Sequence, residues 1–314
     1  MIYTVTLNPT IDRTMHLDAL RVGELNRAIH TRIDLSGKGV NVSVALRRFG
    51  VESVMLGFSG GIAGCLLVDG LREQGYRCEF RTVSGETRSN LTVIDASTGV
   101  TTKLNEPGPT VGTDDIADLE ADLVRLMTPD DRVVFSGSLP PGAPPDTYAR
   151  LMRACCSQGA TTVLDTSGPA MGPGCRAAPD LVKPNDVEAA ELVGLSLDTL
   201  PRLVEGLDAI RALGPKRILL SLGSRGAALA VNEAVWLAEP PSITEVSAIG
   251  AGDASLAGAL YAWTHALSPA EMVRWAVATG TATAMEDGTM IPTMESIRRV
   301  RDKVRVSCLR EGQS

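Results

Sequence analysis

The stretch Ser247-Ala-Ile-Gly-Ala-Gly-Asp-Ala-Ser-Leu-Ala-Gly-Ala-Leu260 runs from a polar approach, through a glycine pair, into an apolar helix. Leu256, Ala259, Leu260 and Trp263 fall at i, i+3, i+4 and i+7, so a helix with a buried face begins close to Asp253. Gly250, Ala251 and Gly252 sit on its first turn. Backbone N–H groups can converge there with little Cβ interference, and the helix N-terminus adds positive potential, which makes a nest for an anion or a developing negative charge. Asp253 is expected to be held ionised by the same field, placed to take a proton from a hydroxyl that attacks a phosphoryl group. A plainer reading has equal standing at this point: Asp is among the best N-cap residues, and Asp253 then only caps the helix. A dinucleotide fingerprint fits poorly, because GAGDAS lacks the final glycine and comes late in the chain. No GxxxxGK[ST] loop occurs either.

Outward from this stretch, apolar strand-like runs alternate with helical patterns, which predicts an α/β fold with a mostly parallel central sheet and helices on both faces. The expected core strands are Ile2–Leu7, Ser53–Gly57, Arg132–Phe135, Thr162–Asp165, Asp180–Val182 and Arg217–Ser221. Helical patterns cover Val40–Phe49, Ala63–Gln74, Pro145–Gln158 and Pro201–Leu213. Two segments, about 12–34 and 77–105, read instead as short polar–apolar strands, including Asn90–Asp95 and Val100–Leu104. They predict a small antiparallel β lid over the carboxyl edge of the sheet, where open α/β folds bind ligands. The 314 residues then form one core with a discontinuous lid, and the polar tail after Val306 is expected to fray.

Hydrophobic residues make up 44 % of the chain and aromatics only 4 %, so the core is expected to be built from Ala, Val and Leu. The formal charge of −7 argues against nucleic acid as a partner. The six cysteines lack CxxC spacing and read as reduced thiols. The opening MIYTVTLNPT reads as a strand rather than a signal peptide, and no window approaches the roughly 18 apolar residues of a membrane helix. A cytoplasmic protein is expected.

Further motifs fall at strand ends or helix starts. Leu35-Ser-Gly-Lys-Gly-Val-Asn41 places Lys38 in a glycine loop before a helix, which suits a phosphorylated ligand or simply an exposed turn. Gly85-Glu-Thr-Arg-Ser-Asn90 puts Arg88 at the mouth of the lid, where a planar guanidinium can grip phosphate or merely be solvated. In Leu7-Asn-Pro-Thr-Ile-Asp12, Asp12 can accept from sugar hydroxyls or form a turn. Asn185 and Glu188 in VKPNDVE have capping-box spacing, yet the preceding Lys183 adds a cation on the ligand edge, and a carboxylate there can hold magnesium through water. Ser221-Leu-Gly-Ser-Arg-Gly226 supplies another small-residue loop after a core strand.

Taken together, TLNPTID, SGKGVNV, ETRSNL, NEPGP, SGSLPPG, VKPNDVE, SLGSRGA and GAGDA resemble, in order and over nearly the whole chain, the ribokinase-like sugar kinases of the phosphofructokinase B group. The similarity is strongest to the branch of 1-phosphofructokinases and tagatose-6-phosphate kinases. It implies ATP and Mg2+ as cofactors, a ketohexose monophosphate as substrate, and a homodimer formed through the lid. It also implies that Asp253 is the base and that Gly250, Ala251 and Gly252 form the anion hole. Lys183, Asn185, Ser221, Gly223 and Gly226 then line the ATP side, with Asn185 and Glu188 organising the metal. On the sugar side it implies Asp12, Gly37, Asn41, Asn90 and Ser138, with Arg27, Lys38 and Arg88 around the existing phosphate. Ser36 departs from the resemblance, which expects Gly or Ala before Gly-Lys-Gly. Fructose 1-phosphate is the first substrate candidate, and tagatose 6-phosphate and fructose 6-phosphate are the others. A non-catalytic sugar-phosphate sensor and, more remotely, a nicotinamide dehydrogenase are the readings from other classes.

Overall fold

Apolar β-strand runs bounded by glycine and polar turns produce fourteen strands in a computed structural model that describes residues 1–286, 288 and 290–312. In chain order, β1 is Ile2–Thr6, β2 Thr10–Leu17, β3 His30–Ser36, β4 Ser53–Ser59, β5 Arg77–Thr82, β6 Arg88–Asp95 and β7 Thr101–Leu104. There follow β8 Arg132–Ser136, β9 Thr161–Asp165, β10 Leu181–Val182, β11 Arg217–Ser221, β12 Ala227–Val231, β13 Ala234–Glu239 and β14 Arg305–Arg310. Ten of these form one sheet in the order β14-β13-β12-β11-β10-β9-β8-β1-β4-β5. From β11 to β5 every pairing is parallel.

Parallel strands covered on both faces are apolar almost throughout, and β8 shows why. Val133 and Phe135 enter one buried cluster with the helices Thr113–Leu126 and Thr147–Ser157, while Val134 enters another with the helices Ala251–Thr264 and Pro269–Ala284. The chain crosses from β1 to β4 and β5 on one side and later adds β8, β9, β10 and β11 on the other. The order therefore reverses between β1 and β8, and a crevice opens at their carboxyl ends.

The lid is a separate sheet of order β3-β2-β6-β7. Its outer pairings are antiparallel and its central pairing, β2 with β6, is parallel, because the two lid segments leave the core in the same direction. Three expectations need adjustment. The lid segment expected from residue 77 divides: Arg77–Thr82 pairs parallel with β4 and closes the core sheet, and the lid resumes at Arg88. The core sheet continues past β11 into three antiparallel strands that the apolar-run reading passed over. The tail does not fray at Val306, since β14 pairs with β13 along the sheet edge; its last two residues lie outside the described residues.

Candidate active site

The helix Ala251–Thr264 starts with Gly250 as N-cap at φ 77°, a left-handed conformation that favours glycine. Asp253 is therefore the third helical residue and not the cap, which removes the plainer reading. Its Oδ2 accepts instead from Nδ2 of Asn41 at 2.8 Å. The first turn leaves the N–H groups of Gly252 and Asp253 without intrahelical acceptors. Ala251 is less available than expected, because its N–H reaches back to Ala248 O at 3.3 Å.

Asp253 is only 7 % exposed. Burial, followed by the charge of Asp165, raises its carboxyl to about 6 against the pull of Lys38, the Asn41 hydrogen bond and Lys183. The helix field was expected to hold it ionised; burial and a like charge outweigh that field, though the group is still mostly ionised at neutral pH. Such a value suits a general base.

Asp165, which none of the motif readings singled out, organises the site. It ends β9, is fully buried, and offers Oδ1 to Lys38 Nζ at 3.1 Å and to Lys183 Nζ at 3.3 Å. Burial disfavours its charge, but Lys183 and Lys38 prevail and hold the carboxyl below the usual carboxylate range. Asp165 in turn pushes Lys38 above the ordinary lysine range. A carboxylate closing the apolar run TTVLD at the ligand edge was the available signal. Lys38 thus belongs to the charge cluster beside Asp253.

On the lid side, Asp12 and Asn90 stand opposite each other across β2 and β6. Asn90 Nδ2 and Thr10 Oγ1 both donate to Asp12 Oδ1, at 3.0 and 3.2 Å. Asn90 Oδ1 is buried without a partner, an acceptor suited to a ligand hydroxyl. Arg88 donates through Nη2 to Asn8 O at 2.9 Å, while its buried Nε has no partner. It lines a cavity of about 560 Å³ with Asn8, Glu106, Ser138, Gly142 and Ser167. Gly37 caps the helix Lys38–Arg48. Arg27 is not brought to these groups within its own chain. It is exposed in the loop joining β2 to β3, beyond the His16–His30 end of the hairpin, which lies about 20 Å along the strand from Thr10.

A cleft of about 640 Å³ is lined by Asn185, Ser221, Gly223, Gly226, Ala251 and Gly252. Lys183 Nζ would stand 3.8 Å from a Cβ placed on Gly252, so the ammonium lies against the amide turn. Asn185 and Glu188 form the full capping box: Asn185 Oδ1 accepts from Glu188 N at 2.8 Å, and Glu188 Oε2 accepts from Asn185 N at 2.9 Å. The structural reading of that spacing is therefore realised. The half-buried Glu188 carboxylate adds, after Asp165 and Asp253, to the raised affinity of Lys38 for its proton. Among the described residues no group of three or more His, Cys, Asp or Glu converges as a metal cage. A single carboxylate, Glu188, next to Asn185 would fit Mg2+ that keeps most of its waters.

Residues 5–296 match the pfkB family of carbohydrate kinases. The chain belongs to that family. A 1-phosphofructokinase of Bacillus subtilis (strain 168) is 36 % identical over 310 residues, covering 98 % of this chain and all of the relative. A tagatose-6-phosphate kinase of Staphylococcus epidermidis is 31 % identical over 292 residues, covering 92 % of this chain and 94 % of the relative. Phosphofructokinase-2 of Escherichia coli, in complex with potassium, superposes with a TM-score of 0.91 at 28 % identity, covering 96 % of this chain and 98 % of that one. In this pfkB-family kinase Lys38, on the first turn of one helix, and Lys183, following β10, converge on Asp165 at the end of β9, and Asp253, on the first turn of a second helix, shares that charge cluster. No helix among the described residues is long and apolar enough to cross a membrane.

Proposed function

We propose that the chain is an ATP- and Mg2+-dependent kinase of ketohexose monophosphates, with fructose 1-phosphate as the first substrate, acting in the cytoplasm. The observation that carries this reading is the Asn41–Asp253 hydrogen bond of 2.8 Å, which joins the helix following the lid to the helix flooring the nucleotide cleft. A free hydroxymethyl group seated there gives its proton to Asp253 as its oxygen attacks the γ-phosphorus, and the bond from that phosphorus to the ADP oxygen breaks. The amides of Gly252 and Asp253, with Lys183 and Lys38, face the charge that spreads over the phosphoryl oxygens. Asp12, Asn90 and Asn41 orient the sugar hydroxyls, and Arg88 holds the existing phosphate. Glu188, with Asn185, would hold Mg2+ through water, and the bound ion would supply charge neutralisation on the nucleotide phosphates.

Arg27 reaches a phosphate only if the lid docks on a second copy, and a homodimer through the lid sheet accounts for its place. The test is ADP release with Mg-ATP and, in turn, fructose 1-phosphate, tagatose 6-phosphate, fructose 6-phosphate and fructose. A kcat/KM for fructose 1-phosphate at least about tenfold above the others supports the assignment. Preference for tagatose 6-phosphate transfers it to that substrate, and no turnover on any of them favours a sugar-phosphate sensor.

A further inference from the structure

We propose that Ser36 is a positioning residue for the base: its hydroxyl fixes the orientation of the Asn41 amide and links the end of a lid strand to Asp253. The inference rests on the reading of Asp253 as the base. Ser36 immediately precedes the Gly37-Lys38-Gly39 turn that opens the helix Lys38–Arg48. It ends β3, is 3 % exposed, and donates from Oγ to Asn41 Oδ1 at 3.4 Å. Asn41 Nδ2 donates onward to Asp253 Oδ2 at 2.8 Å.

The amide has two unlike ends. Its nitrogen stabilises an ionised carboxylate, whereas its oxygen in that position would repel one. A donor held on Oδ1 keeps the nitrogen facing Asp253 and polarises the amide, which strengthens the second hydrogen bond. The first contact, at 3.4 Å, is long for an O–H···O bond and tightens only on a displacement of β3 toward Asn41. The joint at which such a displacement acts is Gly37 at φ 139°, where an added Cβ would stand 2.8 Å from Thr6 Cγ2. The other groups around Asp253 are Asp165 from β9, Lys38 from the helix Lys38–Arg48, and Lys183 following β10, and all remain when only the Ser36 hydroxyl is lost.

The experiment compares wild type, Ser36→Ala, Ser36→Thr and Asp253→Asn. It records the pH profile of kcat/KM, the 13C titration of the Asp253 carboxyl in aspartate-labelled protein, and Tm. Ser36→Ala is expected to raise both the acid-limb midpoint and the carboxyl midpoint by about half a pH unit, the effect of weakening one hydrogen bond. Its kcat at pH 6 falls about twofold, while KM for ATP and Tm stay near wild type. Ser36→Thr, which keeps the hydroxyl, restores the wild-type midpoints. An unmoved carboxyl midpoint in Ser36→Ala, with Asp253→Asn inactive, overturns the role of Ser36 alone. Near-normal turnover by Asp253→Asn overturns the base reading instead, and the catalytic consequence of Ser36 with it.

Discussion

Asp165 and Asp253 are buried carboxyl groups of one charge cluster whose proton affinities are driven in opposite directions. Both lose solvation, but Asp165 meets two ammonium groups directly, at 3.1 and 3.3 Å, while Asp253 meets only a neutral amide and faces Asp165 as a like charge. One carboxylate is thereby reserved for holding lysines, and the other retains a usable affinity for a proton.

The first consequence concerns pH and rate. With the Asp253 carboxyl raised to about 6, the base must lose its proton before it can accept one from the sugar, so kcat/KM should fall below about pH 6 and level off above it. Asp253→Asn should lower kcat by about a thousandfold and abolish the acid limb, leaving nucleotide affinity within about twofold. A profile flat to pH 5 in the wild type would sink the assignment.

The same carboxyl acts on stability. Its folded value, about 6, lies above the unfolded value near 3.9, so the folded state binds the proton more tightly, and stability declines as pH rises from about 4 to about 6. Above that window the ionised group costs up to about 3 kcal/mol, a ceiling that coupling to Asp165 reduces. Asp253→Asn should therefore melt several degrees above wild type at pH 8, with the difference about halved at pH 5. Calorimetry at the two pH values decides; equal melting temperatures at pH 8 refute it.

How much of this was readable from the chain follows from the range of the interactions. The strands β1, β4, β8, β9 and β11 are short apolar runs between turns, and local pattern suffices for them. Edge strands are different: β14 reads Arg-Val-Ser-Cys-Leu-Arg, half-exposed and polar, and only pairing with β13 makes it a strand. Arg77–Thr82 has the same alternation as a lid strand, and its partner, not its composition, assigns it to the core. Asp253 as cap or base differed by three positions of helix start, which local signals do not resolve. Asp165 was passed over because its meaning comes from Lys38 and Lys183, 127 residues before it and 18 after it, which converge only in the fold.

Asp165→Asn tests that convergence. It leaves Lys183, only 4 % exposed, without its carboxylate, and removing one partner of a buried pair costs about 3–5 kcal/mol. Because the Asp165 carboxyl is depressed in the fold, the stability it confers is present above about pH 4 and is lost as pH falls through its folded value, so the mutational loss should be larger at pH 7 than at pH 3. The urea midpoint should drop at pH 7, and adding Lys183→Met should recover part of the drop. A double mutant no more stable than Asp165→Asn would show that the loss does not come from an unpaired lysine.

The phosphate role proposed for Arg88 is tested by substrate binding. Nη2 is held by Asn8 O at 2.9 Å, which orients the guanidinium, while the buried Nε lacks a partner and is left for a ligand oxygen. Arg88→Ala should raise KM for the sugar phosphate at least about tenfold and KM for ATP less than about twofold, the expected split for one lost charge-assisted contact. Steady-state kinetics in both substrates checks it, and equal changes in the two constants would argue against a phosphate role.

The lid carries the last prediction. Leu25 and Ile29 are 75 % and 63 % exposed in the loop that holds Arg27, and Ile33 on β3 and Leu104 on β7 are 52 % and 57 % exposed. Apolar side chains concentrated on one small sheet are more than isolated surface residues require, and a second lid is a surface that would cover them. Wild type should sediment as a dimer at micromolar concentration, and Leu25→Asp with Ile33→Glu should sediment as a monomer. If Arg27 serves the neighbouring site, the monomer should also show a raised KM for the sugar phosphate, and Arg27→Ala should reproduce that rise while remaining dimeric. A wild-type chain that sediments as a monomer and retains full activity would remove both the interface and the role of Arg27.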